Sequence, residues 1–156
     1  VVHAGLQLEV DQSRRIEEPQ DTVLAFSNQR QYAILIPAAV KREALARLRR
    51  LDKSTKLAVL LIFAAALFLL LRDVADQLTL VVIDEEYPGH EAMLRGRLLQ
   101  LLRGTTGLWI PKEVVTFDRV GRKSGAHRRA IAISRGREEP DRRVTLNELL
   151  EALARA

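Results

Sequence analysis

Leu78-Thr79-Leu80-Val81-Val82-Ile83-Asp84-Glu85-Glu86 is the stretch on which the fold turns. Six residues without a charge, rich in β-branched side chains, end abruptly in three acids. A strand that is apolar on both faces belongs in the middle of a sheet covered on both sides, which is the habit of parallel strands in α/β proteins. Alternation puts Asp84 and Glu86 on one side and Glu85 on the other while the chain stays extended. The acids therefore sit at the carboxyl end of a central strand, where open α/β sheets place their ligands.

On the N-terminal side of this strand the period changes twice. Leu57 to Leu71 is a run of 15 residues with no charged or polar side chain, flanked by Lys56 and Arg72. A membrane span needs about 20 apolar residues, so this run reads as a buried core helix ending near Asp76, capped by Asp52 or Ser54. Its mid-chain position is not that of a signal peptide, and a cytoplasmic protein with no membrane partner is expected. Before it, Val40, Ala44, Leu45, Leu48 and Leu51 mark an amphipathic helix with a basic outer face. Earlier still, Leu6, Leu8 and Val10 alternate with polar residues, and Thr22 to Ser27 and Tyr32 to Ile36 are β-rich runs joined by a tight turn at Asn28 to Gln31. These predict an antiparallel meander of three strands.

On the C-terminal side, Gly89 to Arg103 reads as an amphipathic helix stopped at Gly104, and Val114 to Val120 as a fifth strand. Helices from about Ser124 to Ser134 and from Leu146 to Arg155 follow, with a polar break at Arg135 to Arg143. Ser124 reads as an N-cap. The order predicts an α/β fold: one domain over residues 1–156, with a mixed five-stranded sheet (the meander plus two parallel strands) and helices on both faces.

Composition narrows the function. The 156 residues hold no cysteine, which excludes disulfides, thiolate zinc sites and cysteine nucleophiles. No Ser/His/Asp triad setting is visible, and eight glycines are too scattered for a phosphate-cradling loop. A single Met, two Asn and abundant Arg fit a thermophile. The net charge of +5 is uneven. Seven Lys or Arg stand against Glu43 and Asp52 between Lys41 and Lys56, and nine stand against three acids between Arg119 and Arg143. Two basic segments beside one acidic cluster suit a polyanionic partner, or else solvated helix faces.

Asp11 stands at the end of the first strand, in Val10-Asp11-Gln12-Ser13. If the first and fourth strands are parallel neighbours, Asp11 meets Asp84 and Glu86. Clustered carboxylates repel unless they share a proton or hold a cation, and hard oxygen donors suit Mg²⁺ or Mn²⁺. Each acid also has an ordinary reading: Asp11 as an Asx turn with Ser13, and Asp84 to Glu86 as a helix cap. His127 reads equally as a surface histidine among arginines, and His90 is a lesser ligand candidate beside the acids. His3 carries no signal.

This pattern resembles the ribonuclease H-like superfamily, whose β-β-β-α-β-α-β-α core carries one acid on its first strand and another at the end of its fourth. Gly121-Arg122-Lys123-Ser124-Gly125-Ala126-His127-Arg128-Arg129-Ala130 looks like the start of the closing helix in bacterial Holliday-junction resolvases, where an acid or a His approaches the metals. His127 matches that position, Asp11 the first acid, and Glu85 or Glu86, with Asp84 also close, the fourth-strand acid. This closing helix offers His127 and no carboxylate near it. The resemblance implies a hydrolase, a nuclease holding Mg²⁺ or Mn²⁺ through Asp11, Asp84, Glu86 and His127. It would cut structured nucleic acid, DNA before RNA and branched DNA by the resolvase likeness to DNA recombination enzymes. Arg122, Lys123, Arg128 and Arg129 would hold flanking phosphates. Symmetrical cutting of two strands implies a homodimer. The alternative is a non-catalytic nucleic-acid-binding or assembly module that keeps the fold without a working metal site.

Overall fold

A computed structural model describes residues 5–155, so His3 lies outside the described residues. The strands β1 (Leu6–Ser13), β2 (Thr22–Asn28) and β3 (Tyr32–Ile36) form the expected meander. Helices α1 (Ala38–Arg50) and α2 (Thr55–Leu71) precede β4 (Leu78–Asp84). Then come α3 (Glu91–Thr106), β5 (Val115–Asp118), α4 (Gly125–Ser134), the two-residue β6 (Arg142–Arg143) and α5 (Leu146–Ala154). The sheet order is β5-β4-β1-β2-β3-β6, with β4 parallel to both β1 and β5.

Among the described residues the sheet has six strands rather than five. The polar break after α4 contributes β6, whose Arg142 and Arg143 pair parallel with Ile34 and Leu35 at the β3 edge. Only two residues pair, and both are exposed, so no hydrophobic alternation marks this strand in the sequence.

One face of the sheet carries α1, α2, α3 and α5 over a large core, in which Val10, Leu24, Ile34 and Ile83 meet Phe63, Leu67, Leu98 and Leu149. Helix α2 lies within this layer against α1, α3, α5 and the sheet, which explains its lack of a polar face. The continuous helical stretch Thr55–Gln77 is long and apolar enough to cross a membrane, yet 78% of its most apolar part is buried inside the fold. Ser54 supplies its cap, accepting from Leu57 N–H at 3.1 Å. The other face carries α4, through Ala130 and Ile133 on Val23, Ala25, Ala33 and Leu35.

Helix α3 runs through Gly104 and stops at Gly107, whose left-handed backbone (φ 70°) lets its N–H reach Arg103 O. A glycine ends a helix where the chain turns left-handed, and Gly104 sits before that point. Strand β1 also continues past Asp11, because Gln12 and Ser13 still pair with Leu24 and Val23. Asp11 is thus held inside the sheet rather than at its frayed end.

The loop from β1 to β2 is anchored from below by a charge. Lys41 of α1 is 1% exposed, and its Nζ donates to Glu18 O at 2.7 Å, Thr22 Oγ1 at 2.9 Å and Arg15 O at 3.4 Å. Burial lowers its pKa, and the nearby Asp21, Glu18 and Glu17 oppose that fall. Tyr87 pins the same loop, donating to Glu17 Oε1 at 3.1 Å and accepting from Ile16 N–H at 3.3 Å.

Candidate metal centre

Parallel pairing of β1 with β4 aligns Val10 with Ile83, so Asp11 and Asp84 follow side by side just past the last parallel pair, β4 ending at Asp84 while β1 runs on to Ser13. Glu86 returns to the same side two residues later. One carboxylate oxygen from each of Asp11, Asp84 and Glu86 lies within 4.8 Å of the others. Asp11 is 4% exposed, and Val10, Leu24, Phe63 and Ile83 form an apolar wall behind the three acids.

Each carboxylate is oriented by a different partner. Asp11 Oδ1 accepts from Gln12 N–H at 2.8 Å, and Asp11 Oδ2 lies 2.7 Å from His127 Nδ1. With the carboxylate ionised, Nδ1–H is the donor. Asp84 Oδ1 accepts from Val120 N–H at 2.8 Å, and Glu86 Oε2 accepts from Arg15 Nε at 3.3 Å. Neither ordinary reading of the acids describes this arrangement. Asp11 bonds the adjacent N–H and His127 rather than Ser13, and no side chain caps α3.

The cluster is short of positive charge. Glu86 is pushed up to about 7 by burial first, then by its hydrogen bond with Asp84 and the charges of Asp84 and Asp11, with Arg15 pulling the other way. Burial also raises Asp11, against the lowering effect of the His127 hydrogen bond. Buried, mutually repelling carboxylates with hard oxygen donors are the setting in which a divalent cation relieves strain.

The choice between Glu85 and Glu86 is decided by direction. Glu86 turns to the cluster, while Glu85 is exposed and shares a hydrogen bond with Glu91, which raises its pKa. His127 is brought in, but through Asp11: its Nδ1 is engaged there, and the cluster of ligand atoms consists of the three carboxylates. His90 sits at the head of α3 outside that cluster.

The four basic candidates separate. Arg122, Lys123 and Arg128 are exposed and pair with no carboxylate among the described residues. Arg129 is tied down instead, with Nη2 3.1 Å from Asp141 Oδ2 and Nε 3.5 Å from Glu138 Oε1. It braces α4 against the segment leading to β6. A cleft of about 400 Å³ lies beside His127, between the β1–β2 loop and α4, with Arg14 and Arg135 on its walls. Arg14 holds a left-handed backbone (φ 68°) there, a conformation that favours glycine and often marks functional loops.

Sequence reasoning passed over Glu9, Gln12 and Arg15. Glu9 Oε1 accepts from Ser124 Oγ at 3.1 Å, and Ser124 Oγ accepts in turn from Ala126 N–H. This links the head of α4 to β1, two residues before Asp11. Period-two alternation places Glu9 on the Asp11 face and was the available signal. Gln12 is 8% exposed, and among the described residues neither of its amide atoms finds a hydrogen-bond partner; nothing local marks it. No protein-family model, curated protein or solved structure matches the chain.

Proposed function

We propose that this chain is a metal-dependent nuclease of the ribonuclease H-like superfamily, acting on structured nucleic acid, DNA before RNA. The observation that carries the reading is the convergence of Asp11, Asp84 and Glu86 within 4.8 Å where the parallel pairing of β1 and β4 ends. Supporting it are the strand order β5-β4-β1-β2-β3 with only β2 antiparallel to its neighbours and a closing helix that delivers His127 to Asp11.

Asp11, Asp84 and Glu86 would hold Mg²⁺ or Mn²⁺, which supplies a Lewis acid for water activation and for the departing oxygen in phosphodiester hydrolysis. His127 and the Gln12 N–H hold the Asp11 carboxylate in one orientation. Val120 N–H does the same for Asp84, and Arg15 for Glu86. Each ligand atom is thereby placed before a cation arrives, which reduces the ordering needed on binding. Arg122, Lys123 and Arg128, exposed along the start of α4, would hold phosphates, together with Arg135 on the cleft beside His127. Arg129 is left out of this role by its own carboxylates.

The test pairs Mn²⁺ calorimetry with cleavage of a four-way junction, a hairpin and a linear duplex, for the wild type and Asp11→Asn. The wild type should take up Mn²⁺ and cut at least one substrate. Asp11→Asn should lose both while binding DNA as well or more tightly, because one negative charge near the phosphates is gone. Metal uptake unchanged by Asp11→Asn overturns the site. DNA binding without metal uptake or cleavage in the wild type is the mark of the non-catalytic module.

A further inference from the structure

A second cleft lies outside the carboxylate centre. Between α3 and the loop that leads to β5 runs a cleft of about 620 Å³, within the range of about 300–1,000 Å³ usual for ligand sites. It follows α3 from Ala92 to Arg103, about 16 Å of helix. Its Ala92 end lies towards the carboxyl end of the sheet, because α3 begins directly after the segment that carries Asp84 and Glu86.

At its far end stands Trp109, 77% exposed and the sole tryptophan of the chain. This ring is not a loose surface side chain. The Arg103 guanidinium lies 3.7 Å from the ring centroid, and its Nε and Nη2 both donate to Ile110 O, at 3.0 and 2.6 Å. One face of the indole is therefore clamped by an immobilised cation, while most of the ring surface is left to solvent. Neighbouring Leu108 is 49% exposed.

Gly96, in the interior of α3, lies on the wall of the cleft between Arg95 and Leu99. A glycine there weakens the helix relative to alanine, and a Cβ at this position would meet no atom within 4 Å. Nothing in the packing calls for a glycine. Its effect is to leave the cleft without a side chain in the middle.

The charges around the cleft indicate the sign of its occupant. Arg95 is half-buried and donates to Val115 O at 2.8 Å. Arg103 likewise spends its hydrogen bonds on a backbone carbonyl. Among the described residues neither guanidinium has a carboxylate partner, and nor does Lys112 at the rim. Glu113, exposed, is the one carboxylate among the lining residues. Two ordered guanidinium charges and an ammonium beside a rigid, open indole call for a ligand that is both anionic and aromatic.

We propose that this cleft binds single-stranded nucleic acid, with a base stacked on the open face of Trp109 and the backbone passing over Gly96 between Arg95, Arg103 and Lys112. Aromatic platforms flanked by cations are how sequence-tolerant single-strand binders work. The inference rests on the nucleic-acid reading of the preceding subsection and extends it to a strand leading away from the metal centre. It does not require that centre to be active.

Because Trp109 is the only tryptophan, intrinsic fluorescence reports on this site alone. The intact chain in EDTA, where no metal-dependent cleavage can occur, is titrated with a twelve-residue oligothymidylate and with an abasic strand of equal length. Saturable quenching by the oligothymidylate and none by the abasic strand is expected. Gly96→Leu, which puts a side chain into the cleft from a helix-compatible position, should weaken binding at least tenfold. Trp109→Ala, followed by anisotropy of the labelled strand, should weaken it about 5- to 150-fold, the range for removal of one base stack. Equal quenching by the abasic strand means phosphate attraction only, and overturns the proposal. No quenching by either strand also overturns it and leaves the cleft to another class of partner. Cleavage of junctions by a chain that shows no quenching would refute this site and leave the nuclease reading standing. Quenching in a chain that cuts nothing does the reverse.

Discussion

Replacing Glu86 by Gln probes the charge imbalance at the carboxylate cluster directly. A carboxyl held at about 7 in the folded chain, against about 4.5 when unfolded, favours its protonated form by about 3 kcal/mol. The sign follows from proton counting. Between pH 4.5 and 7 the native state keeps a proton that the unfolded state has lost, so stability falls as pH rises through this window and the whole loss is present above it. Gln keeps the shape and the oxygen that accepts from Arg15, but carries no charge to repel Asp84 and Asp11. In EDTA at pH 8, Glu86→Gln should therefore be more stable than the wild type by up to about 3 kcal/mol, or roughly 6–12 °C in Tm for a chain of this size. At pH 5 the difference should shrink below about 1 kcal/mol, since wild-type Glu86 is then neutral when folded. Urea denaturation at the two pH values measures both numbers. Adding Mg²⁺ at pH 8 should stabilise the wild type and leave the variant nearly unchanged. Equal stability of the two chains at pH 5 and pH 8 in EDTA would refute the reasoning, because the three acids would then not share one poorly solvated site.

Arg128→Ala should weaken DNA binding across all sequences and flatten its salt dependence by about 0.9 in log K per log unit of salt for each phosphate left without its cation. Arg129→Ala should leave that slope alone and destabilise the fold by about 1–3 kcal/mol, since the brace to Glu138 and Asp141 is gone; salt titration and thermal melting separate the two variants. Lys41→Met leaves Glu18 O and Thr22 Oγ1 without their buried donor beneath the β1–β2 loop, while Arg15 O keeps Glu18 N–H and Thr22 Oγ1, and should lower stability by about 3 kcal/mol in a urea melt. Gly96→Ala should stabilise α3 by about 1 kcal/mol, since its Cβ enters open space; a lower Tm would mean that the backbone at this position is strained.

Local physics was sufficient for the elements other than β6, whose Arg142 and Arg143 carry no pattern of their own. The two-residue period of Leu6 to Val10, the continuous apolar run of Leu78 to Ile83 and the unbroken apolar Leu57 to Leu71 each specify a strand or helix from neighbours alone. So do the caps, because Ser54 and Ser124 satisfy N–H groups two or three residues away. The acids at the strand ends were legible for the same reason, and with them the expectation of a hard cation.

What the local pattern could not determine is partnership across long separations. Asp11 is a ligand candidate only because β4 enters the sheet beside β1, with Leu8 against Val81 and Val10 against Ile83, and that pairing is decided by packing of the whole helical layer. Alternation puts Glu86 with Asp84 only while the chain stays extended; β4 ends at Asp84, and beyond it Glu86 is held at the cluster by Arg15 and Asp84, while Glu85 finds Glu91. Arg128 and Arg129 are adjacent and chemically identical, yet only the second meets Glu138 and Asp141, so one is free for phosphate and the other is a brace. Lys41 reads as one more charge on a basic helix until the β1–β2 loop closes over it and supplies three oxygen acceptors. Residue type and spacing set which groups are present and which way a strand or helix turns them. Which of those groups lose water, and which opposite charge replaces it, depends on surfaces that meet only when the chain has folded.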